Sequence, residues 1–267
     1  MNGIISRQSE SAVLNTLVKG TGGPPLVILH GWAQSLQTML PLGELLSKSR
    51  QVHLLDLPGF GASPMPPTDW DTRQYADRIL NYLEEAKLSK VDLLGHSFGG
   101  RISIRLASKN PEVLRSLILI SSHGIRVNQP FPKNMRAKLL KSSAQWCKWF
   151  DRSFGSDLFE SWFVPRYGSR DYKNAGALRN ILVKTVNEDL TSDARAIKLP
   201  TLILWGERDP ETPPALGTRF HELITNSKFV LLPGKDHLPF VGEGAHLCAY
   251  HILKYLDSLP AEVAVDA

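Results

Sequence analysis

Apolar residues along the chain fall into short runs separated by longer segments with helical spacing. Leu26–Leu29, Val52–Leu57, Val91–Leu94, Leu114–Ile120, Thr201–Trp205 and Lys228–Leu232 read as strands. Leu26–Leu29 is continuous in apolar character, as strands buried on both faces are. Residues 3–8 and 11–18 read as two further short strands. Between the runs lie helical patterns over 36–48, 72–85, 101–108, 213–225 and 243–257. Pro41 falls inside the first of these and predicts a short first turn or a break. The alternation of strand and helix implies a mostly parallel sheet with right-handed crossovers, and the fold class is α/β.

The rhythm breaks after Leu114–Ile120, the sixth strand when the two N-terminal ones are counted. Residues 124–195 hold no good strand but carry aromatic clusters at helical spacing, Trp146, Trp149 and Phe150, then Phe159, Trp162 and Phe163. They read as a helical lid inserted into a core domain made of 1–123 and 196–267. The expected architecture is an eight-stranded sheet flanked by helices, with the lid after strand 6.

The run Val91–Leu94 leads into Gly95-His96-Ser97-Phe98-Gly99. A strand, a Gly-x-Ser-x-Gly turn and a helix form a nucleophile elbow, which lifts the serine hydroxyl above the sheet edge. Glycines are needed where a side chain would clash across the bend. The helix that follows points its N-terminal amides at the place where acyl transfer develops negative charge.

A neutral serine needs a base, and the base an orienting carboxylate. On such elbows the partners follow in the order acid, then histidine. Functional groups collect past the carboxyl ends of strands. Past Trp205 comes Gly206-Glu207-Arg208-Asp209, and past Leu232 comes Lys235-Asp236-His237. Asp209 is the expected acid and His237 the expected base. Glu207 and Asp236 are rival carboxylates, and Asp236, adjoining the histidine, should point away from it. His53, His221, His246 and His251 lie within predicted elements. His96 is read as pointing off the elbow, and His123 as a residue that lines the pocket. The expected oxyanion donors are the backbone N–H of Phe98 and, from the loop His30-Gly31-Trp32, that of Trp32.

These pieces together resemble the α/β-hydrolase fold superfamily in its lidded serine esterase branch. The matching segments are His30-Gly31-Trp32, Asp56–Ser63, Gly95–Gly100, Trp205–Asp209 and Lys235–Phe240. Within the superfamily the chain is similar to carboxylesterases such as the pimeloyl-[acyl-carrier-protein] methyl ester esterases, and to hydrolases of carbon–carbon bonds in ring-fission products. Dehalogenases and epoxide hydrolases of this fold carry an aspartate where this chain has Ser97. The resemblance implies nucleophile, acid and base at Ser97, Asp209 and His237, with no cofactor and no metal. It departs from the commoner pattern in having Phe98 after the serine.

Composition narrows the remaining classes. The 267 residues are 42% apolar and 21% charged, ordinary for a globular protein. Two cysteines, Cys147 and Cys248, exclude a disulfide framework or a cysteine-rich metal site. The N-terminal residues show no signal-peptide run and no stretch has membrane-span length. A reduced, cytoplasmic protein is expected. The net charge of +5 lacks any Lys/Arg block of nucleic-acid-binding type. Segment 126–195 nevertheless holds 13 Lys or Arg against 7 Asp or Glu, so the positive excess sits in the lid. That excess reads either as a solvated helix face or as a field attracting an acidic acyl carrier.

The leading expectation is hydrolysis of a small-molecule carboxylic ester, with Ser97, Asp209 and His237 as catalytic residues. His30, His123, Trp146, Phe150, Phe163 and Leu238 are the candidate pocket residues. The alternatives are carbon–carbon bond hydrolysis of diketones, for which Arg101 and His123 are candidate polar groups, acyl-carrier or CoA thioester hydrolysis, and a ligand sensor that retains the triad.

Overall fold

A computed structural model describes residues 13–125, 131–167 and 169–260. Seven strands lie among them: β1 (Thr16–Lys19), β2 (Leu26–Leu29), β3 (Val52–Leu55), β4 (Val91–His96), β5 (Leu114–Ile120), β6 (Thr201–Gly206) and β7 (Ser227–Leu232). The strand expected over 3–8 lies outside the described residues, and β1 forms the end of the one expected over 11–18. The sheet order is β1-β3-β2-β4-β5-β6-β7. Only β1 runs antiparallel; the other neighbours are parallel. The strand order reverses between β3-β2 and β4-β5. Such a switch opens a crevice at the carboxyl ends of the strands, and β4 beside it carries the elbow.

Helices α1 (Leu36–Leu46), α2 (Thr72–Glu85), α3 (Phe98–Ala107), α9 (Pro214–Leu223) and α10 (Gly244–Ser258) cover the sheet. Helix α2 starts on a capping box, in which Asp71 accepts from the Arg73 and Gln74 amides and Gln74 reaches back to the Asp71 N–H. Helix α1 runs unbroken through Pro41, contrary to the expected break. Pro41 and Gln37, one turn earlier, are both exposed. The ring therefore projects outward, and the carbonyl that loses its donor lies on the side water can reach.

The chain divides into two compact units, residues 1–125 with 188–267, and 126–187. The second unit is helical. It contains α4 (Phe131–Phe154), a π-turn over Phe159–Phe163, α5 (Val164–Tyr167), α6 (Arg170–Asn174) and α7 (Arg179–Asn187). Its own small core joins Cys147, Phe159, Phe163 and Val164. Helix α8 (Thr191–Ala196), counted with the insertion on sequence grounds, groups with the first unit. There Arg105 of α3 donates to both oxygens of Asp193 (2.8 Å each), Thr72 bonds Glu188, and the Leu190 amide reaches the Gly124 carbonyl at 2.7 Å.

Two buried carboxylates brace the first unit. Asp92 in β4 is fully buried and is held by Arg115 through two bonds (2.6 and 2.9 Å) and by the Ser116 hydroxyl at 2.6 Å. Asp56 follows β3 and accepts from the Leu36 and Ala62 amides and the Asn15 side chain. A side chain at Gly61, whose φ is +56°, would collide with that carboxylate, which explains the glycine in the Asp56–Ser63 segment. Removing one partner of a buried ion pair leaves an uncompensated charge. Arg115→Met is therefore expected to destabilise the protein by about 3 kcal/mol, by analogy with buried pairs broken elsewhere. Denaturant unfolding measures this, and a loss under about 1 kcal/mol would show that Asp92 does not depend on the pair.

Candidate active site

Ser97 sits between β4 and α3 with φ +48° and ψ −105°. This strained conformation persists because the surroundings leave no alternative. The Ser97 amide donates to Ile120 of β5, and the Gly99 amide donates to the His30 carbonyl at 3.0 Å. A Cβ at Gly95 would strike the Ser103 hydroxyl and the Gly99 carbonyl, and one at Gly99 would strike the Leu29 carbonyl. Both glycines thus exist for close approach, and the second pins the loop after β2 against the elbow. All ten residues of α3 are buried.

The structure brings Ser97, His237 and Asp209 together. The Ser97 hydroxyl lies 3.1 Å from His237 Nε2, and His237 Nδ1 lies 2.9 Å from Asp209 Oδ2. Asp209 is 4% exposed and His237 7%. The carboxylate accepts three more bonds. Thr212 Oγ1 donates to Oδ2 at 2.6 Å, and the amides of Glu211 (2.9 Å) and Thr212 (2.8 Å) donate to Oδ1. Burial opposes ionisation of Asp209, but the bonds from His237 and Thr212 outweigh it and hold the carboxyl below its usual range. An ionised Asp209 requires His237 to donate from Nδ1. That leaves the Nε2 lone pair for the serine proton.

The rival carboxylates face elsewhere. Asp236 accepts from the Leu238 amide, and Glu207 accepts from the Gly234 amide at 2.8 Å. Glu211 is the carboxylate that sequence reasoning overlooked. It is exposed, and its Oε2 stands 3.4 Å from His237 Nε2.

Three other histidines can now be placed. His30, expected in the pocket wall, is instead fully buried. Its Nε2 accepts from the Leu57 amide (3.0 Å) and its Nδ1 donates to the Gly31 carbonyl (2.8 Å), so it joins two loops and has no free face. Desolvation lowers it to about 4, against smaller opposing effects of Gly31 and Asp56. His96 does not point clear of the site as expected. Its Nε2 lies 2.9 Å from the His237 carbonyl, and its ring lies 4.9 Å from the His237 ring and 4.8 Å from that of Phe240. Burial and the neighbouring His237 lower it to about 3, so it stays neutral. His123 is exposed and bonded to Arg101, the other residue flagged with it.

The aromatic residues sort by unit. Trp32 packs edge-on against Phe60 (5.0 Å) and Phe98 (5.3 Å), and Phe98 also meets Tyr75 at 5.3 Å. The bulk of Phe98 is thus absorbed in an aromatic cluster, with 4% of it exposed. Leu238 is half-buried beside His237. Phe163 lies in the core of the helical unit, whereas Trp146 is 56% exposed, with its ring against Phe150. Among the described residues no group of three His, Cys, Asp or Glu could hold a metal ion. No described helix is long and apolar enough to cross a membrane.

An open parallel sheet with a serine on a strained elbow, a histidine within proton-transfer distance and a carboxylate behind it defines a hydrolase class. The model of the Alpha/beta hydrolase family matches residues 26–248, and the chain belongs to that family. It is 30% identical over 241 residues to a pimeloyl-[acyl-carrier protein] methyl ester esterase of Shewanella woodyi, covering 82% of this chain and 89% of the relative. It is 27% identical over 239 residues to Lipase 1 of Psychrobacter immobilis, covering 82% and 73%. Among solved structures, a meta-cleavage product hydrolase from Pseudomonas fluorescens shares the fold with a TM-score of 0.69 at 20% identity, covering 93% of this chain and 96% of that one.

Thr212 gives the site a test. Thr212→Val removes a hydroxyl bond to a buried carboxylate, and bonds of that kind contribute about 1.5 kcal/mol or more. The expected result is a fall in kcat of about tenfold. The variant should also be less stable at neutral pH. A depressed carboxyl pKa stabilises the fold above the unfolded-state value, and that contribution disappears as pH falls through the folded-state value. The stability gap between variant and parent should therefore close below the carboxylate range. Unfolding measured across pH checks this, and a constant gap would show that Thr212 acts only through packing.

Proposed function

We propose that the chain hydrolyses carboxylic esters through an acyl-serine intermediate. The observation that carries the reading is the hydrogen-bonded line from the Ser97 hydroxyl through His237 to Asp209, at 3.1 and 2.9 Å. In this reading His237 accepts the serine proton as Oγ attacks the ester carbonyl, then returns it to the departing alcohol. Water, deprotonated by the same Nε2, releases the acid and restores the serine. Asp209 holds the imidazole in the required tautomer and offsets the charge it gains. Backbone N–H groups of Phe98, at the head of α3, and Trp32 hold the oxyanion. The bond from Gly99 to the His30 carbonyl favours that pairing, because it fixes the Trp32 loop beside the elbow.

The family membership supports a hydrolase, and the relatives named as a methyl ester esterase and a lipase favour an ester over other acyl bonds. The likeness to the meta-cleavage product hydrolase extends to the fold alone, at 20% identity. The helical unit, inserted between β5 and α8, is the cap in this reading.

The experiment is a hydrolysis panel of p-nitrophenyl esters, methyl esters, thioesters and dienoic diketones, run with the parent and with Ser97→Ala. Ester turnover is expected in the parent. Loss of the nucleophile should lower kcat by a factor on the order of 10⁵ to 10⁶. Ester turnover at parental rate by folded Ser97→Ala protein would remove Ser97 from the mechanism. Diketone cleavage in a parent that ignores esters would replace this reading with carbon–carbon bond hydrolysis.

A further inference from the structure

One polar pair beside the elbow has no part in the chemistry just described. Arg101 belongs to α3, one turn beyond Ser97, and is 4% exposed. Its Nη2 lies 2.8 Å from His123 Nδ1, and the Gly124 amide lies 2.9 Å from the same nitrogen. Both groups are obligate donors. A ring nitrogen that receives two N–H groups carries a lone pair, so the proton of the neutral ring resides on Nε2. Nothing else on the ring has a choice of role. Among the described residues, Nε2 has no hydrogen-bond partner.

The position of this ring follows from the sheet. Ile120 at the end of β5 stands in register with His96 at the end of β4. His123 is therefore three residues past the edge from which Ser97 emerges. The intervening loop is fixed to the site, with the Ser121 carbonyl 3.3 Å from the Thr212 hydroxyl and the Ser122 hydroxyl 3.5 Å from the Gly95 carbonyl. His237 and Asp209 are close enough to act on the His123 ring electrostatically. The residue keeps one side open to solvent while its Nδ1 edge is packed. Burial, then the Arg101 guanidinium and His237, lower it to about 4, so the ring is neutral at pH 7. Burial lowers Arg101 to about 10, against the opposing pull of Glu188, and the guanidinium remains charged. Glu188 itself is engaged by Thr72 and by Arg105, at 3.6 Å from the latter.

We propose that His123 is a specificity-determining residue whose Nε2–H binds an acceptor oxygen on the acyl part of the substrate, a carboxylate above all. Its donor face is fixed by Arg101 and Gly124, and the buried guanidinium behind the ring strengthens the bond to a negatively charged oxygen. A histidine free to protonate or to change tautomer would offer neither constancy. The inference rests on the serine-hydrolase reading and adds to it the substrate class: esters whose acyl chain ends in a second oxygen function.

The test compares monomethyl adipate with methyl hexanoate, which share a chain length and differ in the terminal carboxylate. The ratio of their kcat/KM values is the readout. His123→Phe should lower that ratio about tenfold, chiefly through KM for the adipate ester, and His123→Gln, which keeps an N–H donor, should restore part of it. An unchanged ratio in folded His123→Phe protein, or an equal loss on both esters, would overturn the proposal. A second arm needs no turnover and so separates this inference from the hydrolase reading. In Ser97→Ala protein, long-range ¹H–¹⁵N spectra should show His123 protonated at Nε2, and monomethyl adipate but not methyl hexanoate should shift that signal. A proton found on Nδ1, or equal responses to the two esters, would also overturn it.

Discussion

Everything at this site depends on the backbone of one residue being held where an L-amino acid rarely rests. The positive φ of Ser97 is a local cost on the order of 1–3 kcal/mol. The cost is met by close approach rather than by any single bond. Gly95 lets Ser103 and the Gly99 carbonyl come near, Gly99 lets β2 come near, and a Cβ at Gly100 would collide with the Ser122 side chain. Three glycines around one serine therefore bring together the ends of β2, β4 and β5. Those are the strands whose loops carry the Trp32, Ser97 and His123 positions. The strained turn and the convergence of the loops are one arrangement.

The electrostatics follow the same economy. Four imidazoles lie near this sheet edge, and three of them are prevented from charging. Burial keeps His30 and His96 neutral against the opposing pull of their backbone carbonyl partners, and His123 has a guanidinium and an amide on its Nδ1. Each would otherwise place a positive charge near His237, which in the proposed mechanism gains one itself. Asp209 moves in the opposite direction, since its bonds keep it ionised in spite of burial. The His237 ring is thus backed by a single buried carboxylate, Asp209. Glu211, exposed and 3.4 Å from Nε2, adds a weaker charge on the solvent side, where water screens it.

Much of this was legible in the sequence because the relevant signals are local. An apolar run followed by a turn places a residue at the carboxyl end of a strand. That rule, with the elbow motif and the serine–acid–histidine order, pointed to Ser97, Asp209 and His237 as neighbours. The steric role of Gly95 and Gly99 also follows from the turn they occupy. What escaped were contacts made across the fold. Nothing around Thr212 reveals that its hydroxyl serves Asp209, though Asp-Pro-x-Thr is a spacing from which a side chain can bond back to the aspartate. His96 was misplaced because its partner, the carbonyl of residue 237, is distant in the chain. His30 was assigned to a pocket because its loop adjoins the site, whereas its ring turns inward to hold Leu57. Pro41 was overweighted because the pattern does not show which face of α1 meets water.

The end of the helical insertion shows the same limit more sharply. Helical spacing continues from 179 to 196, and periodicity alone offers no place to divide it. The division falls where Arg105 does its work. This arginine on the elbow helix is nearly buried, and its charge requires acids close by. Asp193 and Glu188 supply them, and with Thr72 they tie α2, α3 and the start of α8 together. Segment 188–196 thus belongs with the helix that follows Ser97 rather than with the helices before it. A cluster of aromatic and basic residues marks an insertion, but its boundary is set by the first acids that a buried cation in the core demands.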